Sequence, residues 1–125
     1  MIDHVSLAVS NLKKSTAFYE AALGELGFEK LVVREGTVGF GKKYPEFWLN
    51  LRPGLARLAD DNGHHVCLRA RNAAQVDGFY RTALAAGAAP DGEPGMRHEY
   101  SDNYYAAFVR DLDGNRVEAV TFLEA

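Results

Sequence analysis

The sequence predicts an α+β fold of two βαβββ modules in tandem, with mostly antiparallel strands and helices covering one sheet face. Three observations predict it. First, the chain matches itself at a displacement of 61 positions: His4/His65, Val5/Val66, Leu7/Leu68, Asn11/Asn72, Phe18/Phe79, Tyr19/Tyr80, Ala22/Ala83 and Leu23/Leu84 are identical pairs, the mark of a duplicated unit. Second, each copy opens on a period-2 pattern and passes into a period-3.6 pattern. Third, each copy closes with three short β-rich runs bounded by turn residues.

The elements follow in order. Ile2 to Val9 alternates, with Val5, Leu7 and Val9 on one face and His4, Ser6 and Ala8 on the other. Asn11 is an N-cap for a helix to about Leu23, in which Leu12, Ser15, Tyr19, Ala22 and Leu23 recur at helical spacing. Gly24 or Gly27 ends it. Strands are then expected over Phe28–Arg34, Thr37–Gly41 and Glu46–Leu51. The second copy gives a strand at His65–Ala70, a helix from Ala73 to Ala86 stopped by Gly87, and strands at Arg97–Tyr100, Tyr104–Arg110 and Arg116–Phe122. Asp-Gly in the turn Asp111-Leu-Asp-Gly-Asn115 joins the last two as a hairpin. Late in each copy the displacement grows, pairing Phe40 with Phe108 and Asn50 with Glu118, so the second copy holds extra residues, placed at Asp91–Gly95. The whole is one domain, with module one at about 1–51, a Pro- and Gly-bearing linker at about 52–63, and module two at about 64–125.

Composition narrows the function. The 125 residues are 47% hydrophobic and 25% charged, enough for a packed core and too apolar for a disordered chain. Fourteen Lys and Arg are spread evenly against seventeen acids, for a net charge of −3, so no basic stripe for nucleic acid is expected. No apolar run is long enough to span a membrane and no leader pattern stands at the start. The single cysteine, Cys67, allows no internal disulfide and fits a cytoplasmic location.

Strand parity then points to a site. With Val5/Leu7/Val9 and Val66/Leu68/Ala70 beneath the helices, His4, His65, Cys67 and Arg69 face the open side, while His64 points the other way. On the last strand of each copy Trp48, Asn50 and Arg52 share a face, as do Arg116, Glu118 and Val120. Two imidazoles and a carboxylate at repeat-equivalent places, His4, His65 and Glu118, are donors that suit a divalent metal ion, and these types admit Fe, Mn, Ni, Co or Zn.

The paired modules, the opening Ile-Asp-His4-Val-Ser-Leu, the Gly-His-His65-Val strand and the closing Asp-Leu-Asp-Gly-Asn-Arg-Val-Glu118 resemble the vicinal-oxygen-chelate superfamily over essentially the whole chain. That superfamily includes glyoxalase I, bleomycin-resistance proteins and extradiol ring-cleaving dioxygenases. The turn before the last strand is its marker, with Leu112 in place of the usual proline. The resemblance implies a cleft often shared across a homodimer, a small-molecule substrate with two adjacent oxygens, and a metal at the positions of His4, Asn50, His65 and Glu118. Asn50 departs from the glutamate usual in glyoxalase I, because an amide is a weak ligand and no base. The remaining His4–His65–Glu118 set resembles that of the dioxygenases, which also carry a histidine and a tyrosine in the interval that here holds His98, Tyr100, Tyr104 and Tyr105. Which of these four face the cleft is left open by the register. The expected enzyme is thus a glyoxalase-like lyase or isomerase, or a ring-cleaving dioxygenase, with Glu118 and His98 catalytic and Trp48, Asn50, Arg69 and Tyr105 against the substrate. The competing expectation is a metal-free, bleomycin-resistance-like binding protein. For Cys67 a small buried apolar role is expected ahead of a nucleophilic one.

Overall fold

The computed structural model describes residues 1–124. Its elements run β1 (Val5–Val9), α1 (Leu12–Gly24), β2 (Glu29–Val33), β3 (Thr37–Gly41), β4 (Phe47–Leu51), β5 (Val66–Arg69), α2 (Ala73–Ala85), β6 (Ala89–Pro90), β7 (Gly95–Met96), β8 (Tyr104–Arg110) and β9 (Arg116–Phe122). Module one forms a sheet in the order β1-β4-β3-β2, and module two a sheet in the order β5-β9-β8-β6 with β7 also on β8. The first and last strands of each module pair in parallel and the other pairs are antiparallel. β1 and β5, the equivalent strands of the two copies, are each at an edge of their sheets.

Local chemistry explains the helices. Asn11 Oδ1 accepts from Lys14 N at 3.0 Å, and Asn72 Oδ1 accepts from Gln75 N at 2.9 Å, so both repeat asparagines are N-caps. Gly27 and Gly87 take positive φ just past the two helix ends, as turns out of a helix require. Val9, Phe18, Tyr19, Leu23 and Phe47 of module one and Val76, Phe79, Ala83, Val109 and Val117 of module two belong to one continuous core.

Two differences from the expected layout stand out. No strand forms at Arg97–Tyr100; Tyr100 N donates to Arg97 O at 3.0 Å and closes a turn there. The pairing with β8 is instead made by β6 and β7, on either side of Asp91–Pro94. Pro90 and Pro94 cannot donate to a ladder, and Gly92 at φ +144 bends the chain between the two short contacts.

The second difference is the repeat register. Ser6 pairs with Trp48 on β4, while Cys67 pairs with Glu118 on β9. The module-one counterpart of Glu118 is therefore Trp48. Asn50 pairs with Ala8, as Val120 pairs with Arg69, so Asn50 lies one row further along. The match of Phe40 with Phe108 misled the alignment, because Phe40 is in the main core and Phe108 in a separate cluster on the other sheet face. An indole has no lone pair for a metal, and module one offers no ligand at the place equivalent to Glu118.

The Asp111–Asn115 turn ties the modules together. Asp111 Oδ2 accepts from Tyr19 Oη on α1 at 2.5 Å and from Asn115 Nδ2 at 2.9 Å, while its Oδ1 accepts from the Asp113 and Asn115 backbone. Asn115 Nδ2 also donates to Ala8 O, and Ser10 N donates to Asp113 Oδ2. Burial pushes the Asp111 carboxyl above its ordinary range, and the bonds from Tyr19, Asn115 and Asp113 hold it back.

Candidate functional site

Register places the open face of module two row by row. Glu118 lies between Cys67 on β5 and Phe108 on β8, Val120 between Arg69 and Ala106, and Phe122 opposite Tyr104. Arg116 is opposite Arg110. His65 lies two residues before Cys67 and meets the carboxylate directly, Nε2 to Glu118 Oε1 at 2.9 Å.

Glu118 is only 2% exposed. A buried carboxylate needs partners, and both oxygens have one: His65 on Oε1 and the Tyr104 hydroxyl donating to Oε2. Burial, followed by the hydrogen bond to Glu118, raises the Tyr104 phenol well above its ordinary range, so it stays a donor. Cys67 Sγ is 4.0 Å from the same hydroxyl, and burial, then Glu118, pushes the thiol up to about 12. The residue is exposed, where a small buried apolar role was expected.

A cavity of about 260 Å³ opens on this pair, lined by His65, Tyr100, Tyr104, Phe108, Arg116 and Glu118. The Arg116 guanidinium lies 4.3 Å from the Phe108 ring centroid, and its Nε donates to Asp91 Oδ2 at 2.6 Å. The Arg110 Nε is 3.3 Å from the same oxygen. Asp91 is thus shared by two guanidiniums beside the cavity. Neither Nη of Arg116 bonds another described residue, so both can meet an anionic group.

The other residues singled out from sequence fall elsewhere. His4 precedes β1, is exposed, and has Nδ1 2.8 Å from Asp3. It lines a different cavity, of about 280 Å³, with Phe28, Phe47 and Cys67. Among the described residues no three His, Cys, Asp or Glu side chains are grouped to hold a metal ion. Trp48 lies over Gly39, where a Cβ would come within 2.9 Å of the indole, and Arg34 stacks 5.8 Å from its ring centroid. Asn50 Oδ1 accepts from the Thr37 hydroxyl at 2.7 Å. Arg69 stacks 4.6 Å from the Phe122 ring centroid.

Two assignments are corrected. Tyr105, expected against the substrate, is on the helix side of β8, packed on the main core and donating to Asp77 Oδ1 of α2 at 2.6 Å. Strand alternation puts its neighbour Tyr104 in the site instead. His98, expected as an acid–base group, is exposed in the turn and does not line the cavity. Tyr104, Phe108 and Arg116 are the site residues that sequence reasoning left unassigned. The first two are placed by the pairing of β8 with β9, which sets Phe108 opposite Glu118 and Tyr104 on the same face.

The fold matches a known group. The chain belongs to the glyoxalase/bleomycin resistance protein/dioxygenase superfamily, whose model matches residues 1–119. Among curated proteins it is similar to the metallothiol transferase FosB of Shouchella clausii (strain KSM-K16), at 30% identity over 120 residues, 96% of this chain and 79% of that one. Among solved structures it is similar to a glyoxalase/bleomycin resistance protein from Albidiferax ferrireducens T118, with a TM-score of 0.83 at 28% identity, over 94% and 96% of the two chains. The fosfomycin resistance protein FosX from Listeria monocytogenes shares the fold, with a TM-score of 0.70 at 17% identity over 96% and 91%.

Proposed function

We propose that this chain is a metal-dependent enzyme acting on a small molecule with adjacent oxygens, and that it joins a thiol co-substrate to that molecule, a C–S bond forming as a C–O bond breaks and the thiol proton passing to the released oxygen. The observation that carries the metal reading is the His65–Glu118 pair at the floor of the 260 Å³ cavity. An imidazole nitrogen and a carboxylate oxygen on neighbouring strands are donors of the types a first-row divalent ion takes. One chain supplies two such ligands. His4 supports a third only from a second copy, and the unpaired edges of β1 and β5 are the surfaces through which two copies would join their modules. The site is then shared across a homodimer.

When bound, the ion supplies a Lewis acid for substrate oxygens. The chain's own groups do the rest. Arg116, fixed by Asp91 and by Phe108, holds an anionic group of the substrate through its Nη atoms. Phe108 and Tyr100 give the cavity aromatic walls beside that contact. Thiol transfer is assigned by likeness to the curated relative. The ring-cleaving alternative loses support because His98 does not line the cavity. Metal analysis of protein purified without chelators tests the reading. About one ion per chain, absent in Glu118→Gln, is expected. Protein that takes up no Mn, Fe, Co, Ni or Zn is a binding protein, and the enzyme reading fails.

A further inference from the structure

We propose that Tyr104 is a positioning residue that occupies one oxygen of Glu118 and so leaves the carboxylate a single oxygen, Oε1, for a divalent cation. The inference rests on the metal reading above and goes beyond it, since it fixes how many positions on the ion stay open.

Tyr104 lies two rows from Glu118: its cross-strand partner is Phe122, while Glu118 faces Phe108. Its phenol reaches Glu118 only by lying along the sheet over the row between, and that row is Ala106 and Val120, both buried and packed with Tyr104 in one cluster. Ala106 leaves the room that a larger side chain would fill. The ring is held from two sides, edge-on to Tyr100 at 5.1 Å and to Phe122 at 5.3 Å between centroids. The hydroxyl at its tip donates to Glu118 Oε2. Oε1, on the other side of the carboxylate, faces His65.

A carboxylate with both oxygens free chelates an ion and uses two of its positions. With Oε2 committed to a phenol that burial and packing keep in place, Glu118 ligates through one oxygen. The position so kept open is one that a substrate with two adjacent oxygens requires. Outer groups of this kind orient the ligands they touch.

The test uses Mn(II) as the probe on full-length wild type and Tyr104→Phe. The bound ion's exchangeable waters are counted by pulsed EPR in D₂O, and affinity is read from the free-ion EPR signal. Tyr104→Phe keeps the ring stacking and loses only the hydroxyl. It is expected to bind Mn(II) at least as tightly as wild type but with one water fewer, as Oε2 joins Oε1, and to lose turnover without a matching rise in KM. Phe122→Leu, which disturbs the ring packing and leaves the hydroxyl, controls for a general loosening and is expected to keep the wild-type water count. The same water count in wild type and Tyr104→Phe overturns the proposal while leaving the metal site standing. Wild type that binds no Mn(II) overturns the metal reading, and this inference with it.

Discussion

Removing one hydroxyl, by Tyr19→Phe, tests whether the Asp111–Asn115 turn couples the modules. Tyr19 is 1% exposed, and its hydroxyl makes a single bond, to Asp111 Oδ2 at 2.5 Å. The phenylalanine ring fits the same space, so no large cavity opens. Asp111 is not orphaned, because Asn115 Nδ2 still donates to Oδ2 and two backbone N–H groups to Oδ1. The loss is therefore one hydrogen bond to a buried carboxylate, about 1.5–3 kcal/mol. At about 4 °C per kcal/mol for a domain of this size, Tm falls by about 6–12 °C. The pH dependence gives a second reading. Burial and Asp111 raise the Tyr19 phenol well above its ordinary value. A raised folded value means the stabilisation is complete below about pH 10 and is lost as pH rises further, because the unfolded phenol ionises and the folded one does not. The gap between wild type and Tyr19→Phe should hold from pH 7 to 9 and narrow above pH 10, the other tyrosines cancelling in the difference. Urea denaturation across that range measures it. A gap below about 0.5 kcal/mol at pH 7, or one that widens at high pH, refutes the reasoning.

Two other substitutions probe the frame. Gly114→Ala forces a Cβ onto a residue at φ +88 and within 2.9 Å of Leu58 O, so a loss of about 1–3 kcal/mol in denaturant midpoint is expected. Tyr105→Phe removes only the bond to Asp77 on the helix side, so it should cost about 1 kcal/mol and leave turnover at the wild-type level, unlike Tyr104→Phe.

Much of this architecture can be read from the residues. The repeated Asn11 and Asn72 sit where N-caps must sit, and the alternation of Val66-Cys-Leu-Arg69 sorts helix side from open side without coordinates. The carboxylate partner of His65 follows from the same parity. What parity cannot supply is register between strands that are distant in sequence. One misaligned phenylalanine moved the supposed counterpart of Glu118 from Trp48 to Asn50, because identity of residue type carries no information about which face is buried. Tyr104 and Tyr105 are identical in type and adjacent, and only the pairing of β8 with β9 assigns one to the site and the other to the core. The Asp91 contact with Arg116 joins residues far apart in the chain, with no local signal for it.

Mixing two inactive variants tests the shared metal site most directly. His4→Ala and Glu118→Gln chains, each expected to bind no metal alone, are combined under conditions that let subunits exchange. If His4 of one chain completes the His65–Glu118 pair of the other, each mixed dimer has one intact site. A statistical mixture then recovers about a quarter of the wild-type metal content. No recovery, with subunit exchange shown independently, contradicts the shared site.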